Sequence, residues 1–329
     1  MAVKRRIVVV GVGSIGRRHA RLLCERGDVA VEVCEPSVEA LEQAGLADLP
    51  RHHSLEQALE THPYAVVIAT PVELHADQTV AALAAGAHVL CEKPMSVDRA
   101  GAERMRAAAR SATGVLSIGF NLHFHPGLRR IRALIADGSL GQALQVQYRT
   151  GSYITLVNSR SRYQATLKGA LLMDYAHQPD AVHWLLGERP AGVYMVGRQA
   201  GALDFSSDPN YLTMVCDYHS PLLSTIELNY VQMPQRHEIE AIGDRGWAIF
   251  DFETGVLRLA SREEQSLVQE TIPVVRDDLY REEHAVFLAA CEGRGEPSSP
   301  ADEAIVSMEV IEAALASWRS GARVALDAV

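Results

Sequence analysis

Lys93 stands in Glu92-Lys93-Pro94, directly after a run, His88–Cys91, that reads as a strand. Pro94 biases the backbone of Lys93 toward an extended conformation and so fixes where its side chain points. A lysine partly removed from water can donate or accept a proton. The alternative is a surface lysine paired with Glu92. Asp174, His177 and Asp180 form a second group, within Met173–Asp180, MDYAHQPD. Read as one helix over Met173–Leu186, positions three apart share a face. One carboxylate then orients and charge-balances the imidazole, and His177 serves as general base. The alternative is that Asp174 or Asp180 caps a helix and His177 is a satisfied buried histidine. His123 and His125, in NLHFHP, lie on one face if that segment is a strand. No further ligands at metal spacing accompany them, so no metal is expected. Asn121 and His123 are read as lining a substrate or as loop packing.

The elements that must position these groups begin at Ile7–Gly16, IVVVGVGSIG. The β-branched run makes a buried strand, and Ile15–Arg26 reads as the following helix. Between them stand Gly11, Gly13, Ser14, Ile15 and Gly16. Gly11 permits a tight turn, Gly13 lets a pyrophosphate approach the backbone, and Gly16 lets helix and strand pack closely. The phosphates fall on the helix N-terminus, where unpaired N–H groups and the dipole favour anions. A second strand, Val29–Cys34, ends at Glu35, nineteen residues after Gly16. A carboxylate there accepts hydrogen bonds from the ribose 2′-OH of NAD and repels a 2′-phosphate. Arg17 and Arg18 leave NADP open as an alternative.

Strand and helix alternate through the first 120 residues, which predicts a doubly wound parallel sheet. Ala65–Ala69 is a strand ending in Thr70-Pro71, His75–Ala85 a helix closed by Gly86, and Gly114–Gly119 a strand. Ser54 and Gln57 resemble a capping box for Leu55–Glu60, and Ser96 is placed as N-cap of a helix through Ala112. Beyond Phe120 the texture changes. Pro126–Ala136 is a helix stopped by Gly138, Ala143–Arg149 a strand, and Gly151–Lys168 a polar loop. Tyr211–Tyr218, Leu223–Val231, His237–Ile242 and Trp247–Phe252 alternate, and Gly243–Gly246 is a hairpin turn, so this sheet is mostly antiparallel. A C-terminal amphipathic helix follows Pro300. The expected domains are 1–120 for the dinucleotide and 121–329 for substrate.

A net charge of −10 argues against nucleic acid. The apolar run after the basic start ends at Gly11, and no stretch approaches membrane-spanning length. Five scattered cysteines without C-x-x-C are expected to be reduced, in a cytoplasmic protein.

The chain resembles the glucose–fructose oxidoreductase, inositol dehydrogenase and rhizopine-catabolism family (Gfo/Idh/MocA). The resemblance runs through VVGVGSIGRRH, IATPVELHADQ, Glu92–Pro94, GFNLHFHP, GALLMDYAHQPDAVHWLLG and IEAIGDRGWAIFD, nearly end to end. It implies a Rossmann domain, and an α/β domain whose open, mostly antiparallel sheet makes homodimer or homotetramer contacts. It implies NAD(P)-dependent oxidation or reduction at a carbinol carbon of a polyhydroxylated sugar, cyclitol or derivative. Lys93 matches the catalytic lysine and His177 the catalytic histidine. Cofactor contacts extend to Thr70, Pro71, His75, Glu92 and Lys93. Substrate contacts fall on Lys93, Asn121, His123, Asp174, His177 and Asp180. Many members carry the acid four residues before the histidine, where this chain has Met173; Asp174, three before, matches other branches. Many also have Arg at the position of His123, and a triple glycine at Lys168-Gly169-Ala170. A keto-sugar or nucleotide-sugar reductase is the alternative activity. A non-catalytic dinucleotide sensor is the alternative from another class, and intact Lys93 and His177 argue against it.

Overall fold

The computed structural model describes residues 4–158, 169–199, 203 and 208–326. The chain divides into two compact units, Met1–Asn121 with Val275–Met308, and Leu122–Val274 with Glu309–Val329.

In the first unit strands and helices alternate as β1 (Arg5–Val10), α1 (Ser14–Arg26), β2 (Val29–Cys34), α2 (Val38–Ala44), β3 (Arg51–His52), α3 (Leu55–Glu60), β4 (Ala65–Ile68), α4 (His75–Ala84), β5 (His88–Glu92), α5 (Arg99–Ser111) and β6 (Leu116–Gly119). Among the described residues they form a six-stranded sheet in the order β3-β2-β1-β4-β5-β6. Every pair is parallel. The order reverses between β1 and β4, and open α/β sheets bind ligands at the carboxyl ends of strands beside such a reversal. Ile7, Val9, Val67 and Leu90 are buried in the core, as strands covered on both faces require.

The second unit contains α6 (Pro126–Ala136), β7 (Ala143–Gly151), α7 (Tyr153–Asn158), α8 (Ala170–Asp174), α9 (His177–Leu186), β8 (Gly192–Arg198), β9 (Tyr211–Asp217), β10 (Leu223–Asn229), β11 (Arg236–Gly243), β12 (Gly246–Asp251), β13 (Val256–Ser261) and β14 (Ser266–Thr271). The chain continues through α10 (Arg276–Cys291) and α11 (Ala301–Ser320) to β15 (Val324–Ala325). The described strands of this sheet run β14-β13-β12-β11-β7-β10-β9-β8-β15. Only β7 and β10 pair in parallel; the other pairs are antiparallel. A mostly antiparallel sheet was the expectation.

Five expectations are corrected. Val275–Met308 joins the first unit instead of the second. Arg18 of α1 pairs with Asp277 of α10 at 3.0 Å, and Ile118 of β6 donates to Ser299 at 2.9 Å. Asp98, not Ser96, caps α5, accepting from Gly101 N–H at 2.8 Å. Ser96 is buried instead, its Oγ 2.0 Å from where a Cβ on Gly101 would lie. The single helix over Met173–Leu186 is two, broken at Tyr175 and Ala176. Within the expected loop Gly151–Lys168, Tyr153–Asn158 is helical; 159–168 lie outside the described residues. Asn121–Phe124 is a 3-10 turn rather than a strand, and His125 caps α6.

Removing the α5 cap leaves a helix N–H without its acceptor. Asp98→Ala is expected to lower stability by about 1 kcal/mol, measured by denaturant unfolding. Asp98→Asn, which keeps an acceptor oxygen, is expected to lose far less.

Candidate active site

Gly16 lets α1 lie against the loop after β1: a Cβ there would fall 1.9 Å from the Gly11 carbonyl oxygen. Gly11 itself has φ +84°, a conformation that excludes most side chains. Gly13 is different. A Cβ on it would meet nothing within 4 Å, so the chain leaves open space at the helix start. Gly13 occupies the N-cap without any side-chain cap, and the first turn carries no acidic residue. These N–H groups are therefore available to an anion. Glu35 stands at the end of β2. Its carboxylate accepts from Val12 N–H at 3.3 Å and from Ser37 N–H at 3.1 Å. Two backbone donors thus fix an acid beside the glycine loop. Arg18 is engaged with Asp277, while Arg17 is exposed. Open backbone donors at Gly13 together with a fixed acid at Glu35 fit a dinucleotide.

Thr70 and Pro71 come after β4, and Glu92 ends β5 with Lys93-Pro94 after it, at the same edge of the sheet. His75 joins the two loops. Its Nδ1 lies 2.9 Å from Pro94 O and its Nε2 3.0 Å from Thr70 O. Both partners are carbonyl oxygens, which only accept, so both ring nitrogens must carry protons. Burial by itself would lower the pKa of His75; the Cys91 side chain and the two carbonyls outweigh it and raise the value to about 9. His75 is thus a buried clip between the two loops. Thr70 Oγ1 is 2.7 Å from Gln78 Oε1. Glu92 is buried and accepts from Lys93 N–H at 3.2 Å. Lys93 is half-buried. The chain has three lysines, Lys4, Lys93 and Lys168, and uses arginine at every other cationic position.

In the second unit, Asp174 ends α8 and His177 begins α9. The break removes the shared-helix-face geometry expected for the pair. The signal for it was Pro179, which is tolerated in a first helical turn but not in a helix interior. Asp174 Oδ2 accepts a hydrogen bond from the Tyr230 hydroxyl. Burial, and then the Asp174 charge, push the Tyr230 phenol well above its usual range, so it remains a donor. Asp180 Oδ2 lies 2.9 Å from His123 Nε2. The His123 ring stacks on Trp184, 4.7 Å between centroids and 10° from parallel. The Arg132 guanidinium covers that indole at 4.3 Å. Asn121 is buried. His125 accepts from Gly127 N–H at 3.1 Å, and burial holds its pKa down to about 4.

Residues 5–120 match the family model described as the oxidoreductase family with an NAD-binding Rossmann fold. Residues 128–249 match the GFO/IDH/MocA C-terminal domain. The chain belongs to the Gfo/Idh/MocA family. Its first unit is an NAD-binding Rossmann domain, and it is an oxidoreductase. Among Gfo/Idh/MocA relatives it is similar to the 1,5-anhydro-D-fructose reductase of Ensifer adhaerens, 27% identical over 251 residues, 74% of each chain. It is also similar to the inositol 2-dehydrogenase of Salmonella typhimurium, 30% identical over 218 residues, covering 63% of this chain and 62% of that one. In fold it resembles an Agrobacterium radiobacter oxidoreductase solved with NAD+, L-tartaric acid and magnesium. The TM-score is 0.88 at 16% identity, with 98% of each chain covered.

The His75 clip makes stability pH-dependent. Its folded pKa, about 9, lies above that of an unfolded histidine. The contribution is therefore complete below about pH 6.5 and lost as pH rises through about 9, and it amounts to about 3 kcal/mol. His75→Gln is expected to be most destabilised near pH 6, with the gap to wild type closing toward pH 9 to 10. Denaturant unfolding across that range measures it.

Proposed function

We propose that the protein transfers a hydride between nicotinamide and a carbinol or ketone carbon of a sugar, cyclitol or sugar derivative. The observation that carries this reading is Lys93, held by Glu92 at the carboxyl edge of a sheet that also carries the open Gly13 loop and the fixed Glu35. The names of the relatives, a reductase of an anhydro-sugar and a dehydrogenase of inositol, support the substrate class.

The bound nicotinamide supplies the hydride acceptor or donor. In oxidation the carbon gives up its hydrogen with two electrons, and the hydroxyl proton must leave to a base. Neutral His177 is assigned as that base. The Lys93 ammonium binds the same oxygen and stabilises the negative charge it gains as the proton departs. Asp174, anchored by Tyr230, is assigned as a positioning residue for the start of α9. Asp180, paired with His123, is assigned to substrate contact together with His123 and Asn121. The same groups run in reverse reduce a ketone, so a keto-sugar or nucleotide-sugar reductase uses identical machinery. Tyr194, Val196, Tyr211 and Leu223 are exposed along β8, β9 and β10, which supports homo-oligomer contacts through this sheet.

Glu35 should set the cofactor preference. Wild type is expected to bind NADH more tightly than NADPH, and Glu35→Ser to narrow the difference, by fluorescence titration. A wild type that prefers NADPH would move the assignment to Arg17.

Lys93→Ala and His177→Asn are each expected to lower kcat by roughly 10²- to 10⁴-fold, with NADH affinity and melting temperature kept. In wild type, kcat/KM for oxidation falls at acid pH as the imidazole protonates, and His177→Asn removes that limb. A panel of sugars, inositols and sugar acids, followed by NADH absorbance, provides the assay. Survival of the rate and the acidic limb in His177→Asn would place the base elsewhere.

A further inference from the structure

Four ionisable side chains meet in the interior of the first unit, behind the loop that carries Lys93. His19 comes from α1, Glu92 from β5, and Glu283 and His284 from α10. None is more than 7% exposed. His19 Nε2 lies 2.8 Å from Glu92 Oε1, and His19 Nδ1 lies 2.7 Å from His284 Nε2. The other Glu92 oxygen accepts from Lys93 N–H. Glu283 differs from the rest. Both its carboxylate oxygens are buried and have no hydrogen-bond partner. One of its oxygens, one of Glu92 and one ring nitrogen of His19 all lie within 4.8 Å of one another.

Two carboxylates this close in a dry interior cannot both remain ionised. Proton bookkeeping decides which one holds the charge. With His19 donating through Nε2 to Glu92, its Nδ1 accepts the hydrogen bond that His284 donates from Nε2. The Lys93 amide also donates to Glu92. The chain of donors from His284 through His19 thus ends on Glu92, as does the Lys93 amide, and none reaches Glu283. We infer that Glu283 is a protonated carboxylic acid facing an ionised Glu92, and that His19, Glu92 and Glu283 together are positioning residues that set the Lys93 loop from behind. Burial, and then the Glu92 charge, raise the Glu283 pKa well above the usual carboxylate range. Burial, then His19 and Arg26, lower that of His284, which keeps it neutral. The other groups facing the cluster are Tyr280, edge-on to the His19 ring at 5.3 Å, and Arg18, over the Tyr280 ring at 5.3 Å. The Lys93 part of this inference rests on the proposed role of Lys93; the protonation of Glu283 does not.

The tests use the full chain and need no substrate. Infrared difference spectra of wild type against Glu283→Gln are expected to show the carbonyl stretch of a buried, protonated carboxyl group that the variant lacks. No such band would overturn the assignment. An acid with a raised folded pKa costs stability as pH rises, because the folded state then binds the extra proton. Glu283→Gln, which mimics the neutral acid, is therefore expected to gain melting temperature relative to wild type between pH 5 and 9. A variant that is less stable by the same amount throughout would mean an ionised, compensated Glu283 and overturn it. So would one equivalent of a divalent metal found on the purified protein by mass spectrometry and lost in Glu283→Gln.

Positioning is read at Lys93 itself. With three lysines in the chain, acetylation by acetic anhydride can be followed at each by mass spectrometry. Glu92→Gln and His19→Ala are expected to change the Lys93 rate severalfold and leave Lys4 unchanged. His19→Gln, which keeps a donor toward Glu92, is expected to restore part of the wild-type rate. An unchanged Lys93 rate in Glu92→Gln would overturn the positioning role, whether or not Lys93 proves to be catalytic.

Discussion

Helix α1 rests against the loop that follows β1 through a contact that leaves no room for a side chain at Gly16. The close approach aims the first-turn N–H groups of α1 into the space beside Gly13. One turn later along the same helix comes His19, which the approach delivers to Glu92 at the end of β5. The glycine that makes an anion site therefore also sets the depth at which a buried imidazole meets the carboxylate next to Lys93. A methyl group at Gly16 would displace both.

The two units treat buried polar groups in different ways. In the first, His75 and Glu92 tie loops together by accepting or donating to backbone, so the loops at the carboxyl edge are fixed at several points. In the second, side chains pair mostly with one another: Asp174 with Tyr230, Asp180 with His123, and Tyr148 with His237 at 2.9 Å. Burial pushes the His237 pKa down to about 3, so that ring stays neutral beside the Tyr148 hydroxyl. A half-satisfied buried network is costly, and each of these polar atoms has a partner within hydrogen-bond reach.

Much of the first unit was legible because its signals are local. β-branched runs end in glycine or proline, and Ser54 caps α3 by accepting from Gln57 N–H at 3.3 Å. Gln57 departs from a full capping box by reaching His53 N–H rather than that of Ser54. The least legible element was α10. Its buried face includes Glu283 and His284 among Leu279, Tyr280 and Phe287, and a pattern that counts charged residues as surface does not register such a face. The glycine loop, Glu35 and Lys93 could be read from spacing, since each sits at a strand end. The break between Asp174 and His177 was signalled only by Pro179, while the pairing of His123 with Asp180 and the clip made by His75 depend on partners elsewhere in the chain, and spacing does not encode them.

The first unit is assembled from two stretches of chain separated by more than 150 residues. The ribosome makes its parallel sheet early and its last helix late. Until α10 emerges, Glu92 and His19 have no Glu283 or His284 behind them, and the face of α1 that α10 will cover stands open to water. The nascent Rossmann half must wait, incompletely packed, while β7 to β14 of the second sheet are synthesised. Folding of this chain is therefore not a simple N-to-C succession of finished domains, and a fragment that stops at the end of the first sheet lacks part of its own interior.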